Sequence, residues 1–548
     1  MANMIFWISF GILVLALIST NIIHNRSRKN ERYRKLTESF GSLDAEPVDT
    51  PFFDETSSLL EHMRSQSPDD FYLDDITIND LALRNIYSRM HCVSSCGADY
   101  LRYRFKVLPA ASDKREQMAG DIGLFLGDTA KATHVMCKLD DIGYHSDLDG
   151  FGIIEKLSGA EDSSVVADIL PVLFLVAGII LTGYYPVLGI ITVIIMIIIC
   201  IAGYFSGRRR MDEHLRGLAY SLRLIRCGIA LSDEYEGLVK YKPLRSLDRA
   251  SSLIPMKDKT VSDPLSIILD YIRMITHIDI IIYKIKIRKI RENLDAIRDL
   301  YIDIGRIDAA VAVASYIFNR KHCKALIISD NKIDTDQIYH PLVRKPVYND
   351  FSTERGVLIT GSNASGKSTF LRAIGLNVLF AKSFGYAFAD RFETGADKLF
   401  TSMALSDDLL GEESYYVVEA RSLKRICDSA YGNCVCLIDE VLRGTNTIER
   451  IAASSRILHF LSQKDVLCFA ATHDLELTHL LDKDMDCYFF TEEIRDDNVS
   501  FPFRIYCGRS DKTNAIRLLD MMGFDKDTVD SANELVSRYK QTGIWSDK

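Results

Sequence analysis

The hydrophobic pattern divides the chain into stretches of different period. Residues 4–23, "MIFWISFGILVLALISTNII", are apolar at nearly every position over a length that spans a bilayer. The flank that follows, "HNRSRKNERYRK", is basic. A secretory signal carries its positive charges before the apolar run and a small-residue cleavage site after it. The order here is reversed, so the run reads as an uncleaved anchor with its C-terminal flank in the cytoplasm. A second apolar stretch covers "VVADILPVLFLVAGIIL" at 165–181 and "PVLGIITVIIMIIICIAGYF" at 186–205, with only "TGYY" between them. At about 1.5 Å per residue each half approaches spanning length, and "GRRR" at 207–210 marks the cytoplasmic side. The pattern predicts a transmembrane helical hairpin over 165–205. Asp168 and Pro171 interrupt its start, and Asp168 lies close enough to the end to sit at the interface. A buried helical pair of a soluble protein is the competing reading of the same stretch.

Around the hairpin the period changes. Residues 55–160 and 206–330 carry little Gly or Pro and repeat apolar positions every three or four residues, as in "LRGLAYSLRLIRCGIALSDEY" and "IRENLDAIRDLYIDIGRIDAAVAVASYIF". Long packed helices are expected there. "YKIKIRKIREN" at 283–293 alternates like a strand at first, but its neighbours are helical and we assign it to a helix. Further on, short apolar runs bounded by turn residues predict buried strands: "GVLIT", "CVCLIDE" (434–440) and "VLCFAATHD" (466–474). No internal repeat is visible.

Composition narrows the classes. A length of 548 residues is a prior of about three to four domains. A formal net charge of −9 argues against a protein whose whole surface wraps nucleic acid, while leaving room for a local basic patch. The 12 cysteines show no CxxC pair and no zinc-type spacing, and we read them as reduced and cytosolic.

The chemistry lies in the last third. "GSNASGKST", residues 361–369, satisfies GxxxxGK[ST] between a strand-like run and a helix, the context a phosphate-binding loop requires. Gly361, Ser362, Asn363, Ala364, Ser365, Gly366, Lys367, Ser368 and Thr369 would wrap the phosphates. Backbone N–H groups and the helix N-terminus favour the anion there. Lys367 would pair with the β- and γ-phosphates and Ser368 would ligate Mg²⁺. "CVCLIDE" supplies the acids that such a site needs: Asp439 would hold Mg²⁺, usually through water, and Glu440 would polarise the attacking water. His473, at the end of the third strand, faces the ligand crevice of a parallel sheet and is a candidate γ-phosphate sensor. These features predict a doubly wound, mostly parallel α/β P-loop ATPase domain over about 331–548.

Three of these segments, "LITGSNASGKSTFLRAIGLNVLFAK", "CLIDEVLRGTNTIERIAAS" and "FAATHDLELTHL", resemble the signature segments of the MutS family of mismatch-repair ATPases. "SDDLLGEESYYVVEARSLKRI" at 406–426 resembles the family's signature between the two nucleotide motifs. By that resemblance Ser414 would reach across a homodimer to the partner's γ-phosphate, and Glu419 belongs to the same segment. Asp407 and Asp408 stand there too, either structural or part of the dimer site. "HPLV" followed by "YND" resembles the entry to the ATPase domain, with Tyr348 the candidate against the adenine. "GRSDKTNAIRLLDMMGFDKDTVDSANELV" resembles the closing dimer helices, and "DDITINDLALRNIYSRM" the start of the family's helical lever. The resemblance implies an all-α lever domain ahead of the ATPase domain, and the apolar runs place transmembrane helices in it. The boundaries expected are an anchor at 1–24, a charged linker at 25–54, lever parts at 55–164 and 206–330 around the hairpin at 165–205, and the ATPase domain at 331–548.

The departures from the family are as informative. No mismatch-reading domain stands before the lever, and the hairpin occupies the place of the DNA clamp. Lys382 stands where the family usually carries Gln. The expected function is a membrane-anchored, dimeric ATPase using ATP and Mg²⁺, its output a conformational signal or an assembly with unknown protein partners. The alternative is a membrane-tethered repair ATPase that binds mismatched or branched DNA, for which the basic runs "RRRMDEHLRGLAYSLRLIR" and "YKIKIRKIR" speak. A transporter ATPase is disfavoured by three spans and by the lack of an LSGGQ-type signature before "CLIDE".

Overall fold

The computed structural model describes residues 19–20, 23–24, 26–43, 47, 57–144, 149–162, 164–234, 242–247, 264–362, 365–403, 415–495, 498–509, 515–543 and 545. The first expected span, 4–23, therefore lies almost wholly outside the described residues. The chain forms two units, one drawn from residues up to 66, 89–103 and 121–318, the other from 67–88, 104–120 and 319 onward.

The first unit is helical. Its main elements are α1 (Val166–Tyr184), α2 (Pro186–Glu234), α3 (Pro264–Thr276), α4 (Ile278–Glu292) and α5 (Leu294–Phe318). Only Tyr185 separates α1 from α2, so the turn is tighter than the four residues "TGYY" suggest. Pro186 opens α2, where its missing N–H is no loss. Gly189 lets the two helices meet beside the turn: a Cβ there would stand 2.4 Å from the Thr182 nitrogen. α1 and the segment Pro186–Arg209 are long and apolar enough to cross a membrane, and 17% of each apolar window is buried within the structure. α2 continues unbroken for 49 residues, about 70 Å. The alternating run at 283–293 is helical, as expected: Tyr283, Ile287 and Ile290 fall on the buried face of α4. Within the stretch expected as a charged linker, residues 26–39 are helical. Lys29 Nζ lies 2.7 Å from the Asp141 carboxylate and Arg32 2.6 Å from Asp140.

Buried carboxylates organise this unit. Asp168, in the first turn of α1, is buried within the structure. It pairs with Lys284 of α4 at 2.5 Å and faces Nδ1 of His277 at 3.4 Å. Asp308 of α5 accepts from the backbone N–H groups of Val93 (3.2 Å) and Ser94 (2.8 Å) and from the Ser94 hydroxyl (2.5 Å). Asp99 accepts from Tyr301 and Arg102.

The second unit is built on a six-stranded sheet: β1 (Gly356–Thr360), β2 (Lys398–Ser402), β3 (Cys434–Asp439), β4 (Val466–Thr472), β5 (Met485–Phe490) and β6 (Ile505–Cys507), in the order β2-β3-β4-β1-β5-β6. All neighbours are parallel except the β5–β6 pair. β1 is buried at every position, as the strands of a sheet covered on both faces must be. α6 (Lys367–Phe384) covers one face, where a Cβ on Gly375 would stand 2.7 Å from Leu437. α7 (Tyr415–Ser429) and α8 (Thr447–Ser462) cover the other through Leu423, Ile426, Leu458 and Leu461, against Cys436, Ile438, Cys468 and Ala470. A smaller four-stranded sheet of Leu326–Ile327, Arg391–Thr394, Ile333–Ile338 and Asn349–Thr353 completes the unit.

Residues 67–88 and 104–120, placed in the first lever part by their helical period, group with the sheet. The reason is a buried carboxylate and two apolar anchors. Asp80 accepts from the Thr401 hydroxyl (2.6 Å) and the Met403 N–H (2.9 Å) at the end of β2. Leu81 packs on Gly375, and Phe105 packs on Phe380 and Phe384 of α6.

Candidate functional site

The parallel strands deliver their C-terminal ends to one edge, where Lys367, Ser368, Asp439, Glu440 and His473 meet. β1 leads into the loop at Gly361, whose φ of 148° and surroundings both demand glycine: a Cβ would lie 2.8 Å from the Phe490 carbonyl oxygen and 2.9 Å from Ser365 Oγ. Gly366, with φ 108°, opens α6. Asn363 and Ala364, between them, lie outside the described residues. Ser365 Oγ is buried and has no hydrogen-bond partner among the described residues, an open valence inside the loop.

Lys367, at the first turn of α6, folds back on the loop. Its Nζ donates to the carbonyls of Gly361 (2.8 Å) and Ser362 (3.0 Å). His473 Nε2 lies 3.3 Å from the same Nζ and 3.2 Å from Glu440 Oε1. Both contacts cannot use one nitrogen in one role. A carboxylate only accepts, and Lys367 already has two carbonyl acceptors, so Nε2 carries the proton and donates to Glu440. Burial lowers the Lys367 ammonium value, while Asp439 and Glu440 oppose that shift.

β3 ends in the two acids. The Ser368 hydroxyl donates to Asp439, whose carboxyl burial raises above the usual range. Glu440 is held below its usual value, first by His473 and then by Arg443, with which it also forms an ion pair. Its backbone sits at φ 60°, a left-handed conformation that costs a non-glycine residue about 1–2 kcal/mol. Its N–H donates to the Ala471 carbonyl of β4 at 2.9 Å, which fixes the strained turn. Such a turn points to a site where geometry outranks local stability. The pairing of Ser368 with Asp439 beside an open loop suits Mg²⁺: the residues are hard oxygen donors of the kind that ion takes.

Other residues were not evident from the pattern. Glu419, known only as part of a signature segment, is buried in α7, and its Oε1 accepts from the Arg443 N–H at 3.1 Å. It thereby braces the loop that follows Glu440, and Gly444 in that loop abuts Tyr416 of α7. Arg450 and Asp474 form a two-point ion pair at 2.9 and 2.6 Å, tying α8 to the residue after His473. Phe503 lies against Gly366, 3.2 Å from where a Cβ would be, in a segment held by Asn349. The Asn349 amide donates to the Phe503 carbonyl (3.2 Å) and accepts from the Ile505 N–H (2.9 Å). Tyr348, the expected adenine contact, is partly exposed, with Lys321 Nζ 4.6 Å from its ring centroid and Tyr339 at its edge. Lys382 is buried away from solvent and paired with Asp397 at 2.7 Å. Thr369 is the third residue of α6, in its first turn. Ser414, Asp407 and Asp408 lie outside the described residues.

The parallel sheet, the glycine-framed loop and the acids at the end of β3 define a P-loop nucleotide-binding domain. Residues 357–540 match MutS domain V. Over 279 residues the chain is 29% identical to the DNA mismatch repair protein MutS of Halothermothrix orenii, covering 48% of this chain and 31% of that protein. It is 28% identical over 272 residues to MutS of Ruminiclostridium cellulolyticum, covering 47% and 31%. It is 28% identical over 266 residues to MutS 1 of Halobacterium salinarum, covering 46% and 30%. The chain thus spans about a third of the length of the curated relatives it matches. Its C-terminal half is similar to the MutS family, with MutS domain V over residues 357–540.

Proposed function

We propose that the chain is a membrane-anchored ATPase that binds and hydrolyses ATP at composite sites in a homodimer and passes the resulting conformational change along its helical unit. The observation that carries the reading is the meeting of Lys367, the Ser368–Asp439 pair and the Glu440–His473 pair at the ends of three parallel strands. Lys367 exchanges its two loop carbonyls for the β- and γ-phosphates, and the Ser365 hydroxyl becomes a further donor to them. Glu440, kept ionised by His473 and Arg443, orients the attacking water, and His473 follows the γ-phosphate. Mg²⁺ held by Ser368 and Asp439 would neutralise charge on the transferring phosphoryl group. Phe503, an aromatic beside the loop at Gly366, is with Tyr348 a candidate to stack on the base. Ser414 would complete the site of a second copy.

The apolar hairpin supports a multi-pass membrane location with the ATPase domain in the cytoplasm. α2 carries its apolar segment directly into the helical unit as one helix, so motion in that unit has a rigid route to the hairpin. The alternative, DNA binding by the basic runs, is weakened because many of these cations are engaged within the chain. Arg216 pairs with Asp212, Lys284 with Asp168, Arg288 with Glu292 and Arg291 with Asp162.

The test is the ATPase activity of the detergent-solubilised full-length protein, with Lys367→Ala and Glu440→Gln. Each substitution should lower turnover by about 100- to 1000-fold, and Glu440→Gln should leave ATP binding intact. Homoduplex, mismatched and branched DNA titrated at several salt concentrations should leave the rate flat. A several-fold stimulation by one DNA form at physiological salt would replace the membrane-signalling reading with the tethered-repair one.

A further inference from the structure

The P-loop carries one contact that nucleotide binding does not require. Glu492, two residues past β5, places Oε2 2.8 Å from the Ser362 hydroxyl. The strand end positions it: the Phe490 carbonyl lies against Gly361, so the chain leaves β5 directly over the start of the loop. Ser362 in turn supplies one of the carbonyls that hold the Lys367 ammonium. A carboxylate therefore stands at the rim of a cradle built to receive a polyanion, beside the cation meant to receive it. Glu492 adds to the charge that Asp439 and Glu440 already place around Lys367. Asp439 and Glu440 have work to do on the bound nucleotide. Glu492 has a hydroxyl to hold it in place.

Resting on the reading of this loop as an ATP site, we propose that Glu492 is an affinity- and specificity-setting residue: clasped by Ser362, it opposes the triphosphate electrostatically. Among the described residues the resting loop is then held by Lys367 on its carbonyls and Glu492 on its hydroxyl, and ATP must displace both. Two like charges repel across a partly desolvated rim more strongly than in bulk water. The opposition grows with the negative charge of the ligand, so it weighs most on ATP, less on ADP and not at all on adenosine. It also falls as salt rises.

The experiment measures equilibrium binding of ATP, ADP and adenosine to the full-length protein in detergent at low and physiological salt. The variants are Glu492→Gln, Ser362→Ala and Lys367→Ala. Glu492→Gln keeps a group that can bond the Ser362 hydroxyl and removes only the charge. It should tighten ATP about three- to tenfold and ADP less, with the gain shrinking as salt rises. Ser362→Ala removes the hydroxyl that draws the carboxylate onto the loop and should tighten ATP in the same direction by a smaller factor. A merely structural contact predicts the opposite sign, with both variants binding ATP more weakly. If the wild type binds ATP and Glu492→Gln binds it no tighter, this proposal is overturned while the nucleotide site stands. If neither the wild type nor Glu492→Gln binds ATP, the reading of the loop itself fails and takes this proposal with it.

Discussion

The helical unit and the sheet unit bury polar groups for opposite purposes. In the helical unit the buried carboxylates are closed within the fold. Asp308 satisfies the opening of the helix Ser95–Phe105, and Asp99 is held by Tyr301 and Arg102. In the sheet unit the buried groups at the strand ends are left open or strained. Ser365 Oγ lacks a partner among the described residues, Lys367 rests on carbonyls, and Glu440 stands at φ 60°. Burial alone therefore does not mark a site. A buried polar group whose valence is filled from its own neighbourhood serves the fold, whereas at the strand ends the open and strained groups stand together around one loop.

The largest effect that would break this comparison is on stability. Asp308→Ala strips three donors of their acceptor at once and should destabilise the helical unit by about 3–5 kcal/mol. Hydrogen exchange of the amides at 93–105 would report it directly. Lys367→Ala in the sheet unit removes a desolvated cation from a site that strains the fold. It should leave stability unchanged or raise it by about 1 kcal/mol, even as turnover collapses. If Lys367→Ala unfolded its unit as Asp308→Ala does, the distinction between closed and open polar groups would fail.

What could be read from the sequence follows the same division. The loop at 361–369, the acids at 439–440 and His473 were legible because each depends on local order, a strand followed at once by its functional residues. The hairpin was legible from hydropathy, although its turn closed to Tyr185 alone because helical hydrogen bonding runs through Thr182 and Gly183. What could not be read depends on partners far along the chain. Asp80 looks like one more polar residue of an amphipathic helix until Thr401 and Met403 claim it. Lys29 and Arg32 look like a solvated charge run until Asp141 and Asp140, more than 100 residues away, are seen beside them. Phe503 sits in "FPF", which has no motif; only the Asn349 staple shows that it reaches the loop.

A smaller effect concerns pH. Asp99 and Asp308 are each pushed up to about 6, burial outweighing the donors that favour the charged form. An acid with a folded value above its unfolded one binds its proton more tightly when folded. Its contribution is therefore full below about pH 4 and lost as pH rises toward 6. At about 1.4 kcal/mol per unit, each group should lower the helical unit's stability by about 2–3 kcal/mol between pH 4 and 7. Denaturant unfolding across that range should show the decline, and Asp99→Asn, which keeps the acceptor for Tyr301, should remove its share. A flat profile in the wild type would mean that both carboxyls find solvent in the folded state.

The smallest effect sharpens the open side of the comparison. If the unfilled groups mark a nucleotide site, the surface beside them must include something for the base, and Phe503 is the aromatic that the fold brings against Gly366. Its own backbone is at φ 52°, a strained conformation for such a residue, and Asn349 holds it there. A ring kept in place against local preference is better explained by what it contacts in the bound state than by packing, since Phe503 remains 44% exposed. Base–aromatic stacking contributes about 1–3 kcal/mol, and at the low end of that range, for a ring left partly exposed, Phe503→Leu should weaken ATP and ADP about fivefold and equally, whatever the phosphate number. Phe503→Tyr should restore binding. The opposite signature, a loss for ATP but not ADP, would place Phe503 at the phosphates rather than the base. Tyr348→Leu is the control: it should change affinity less than Phe503→Leu, because its ring is already occupied by Lys321 and Tyr339.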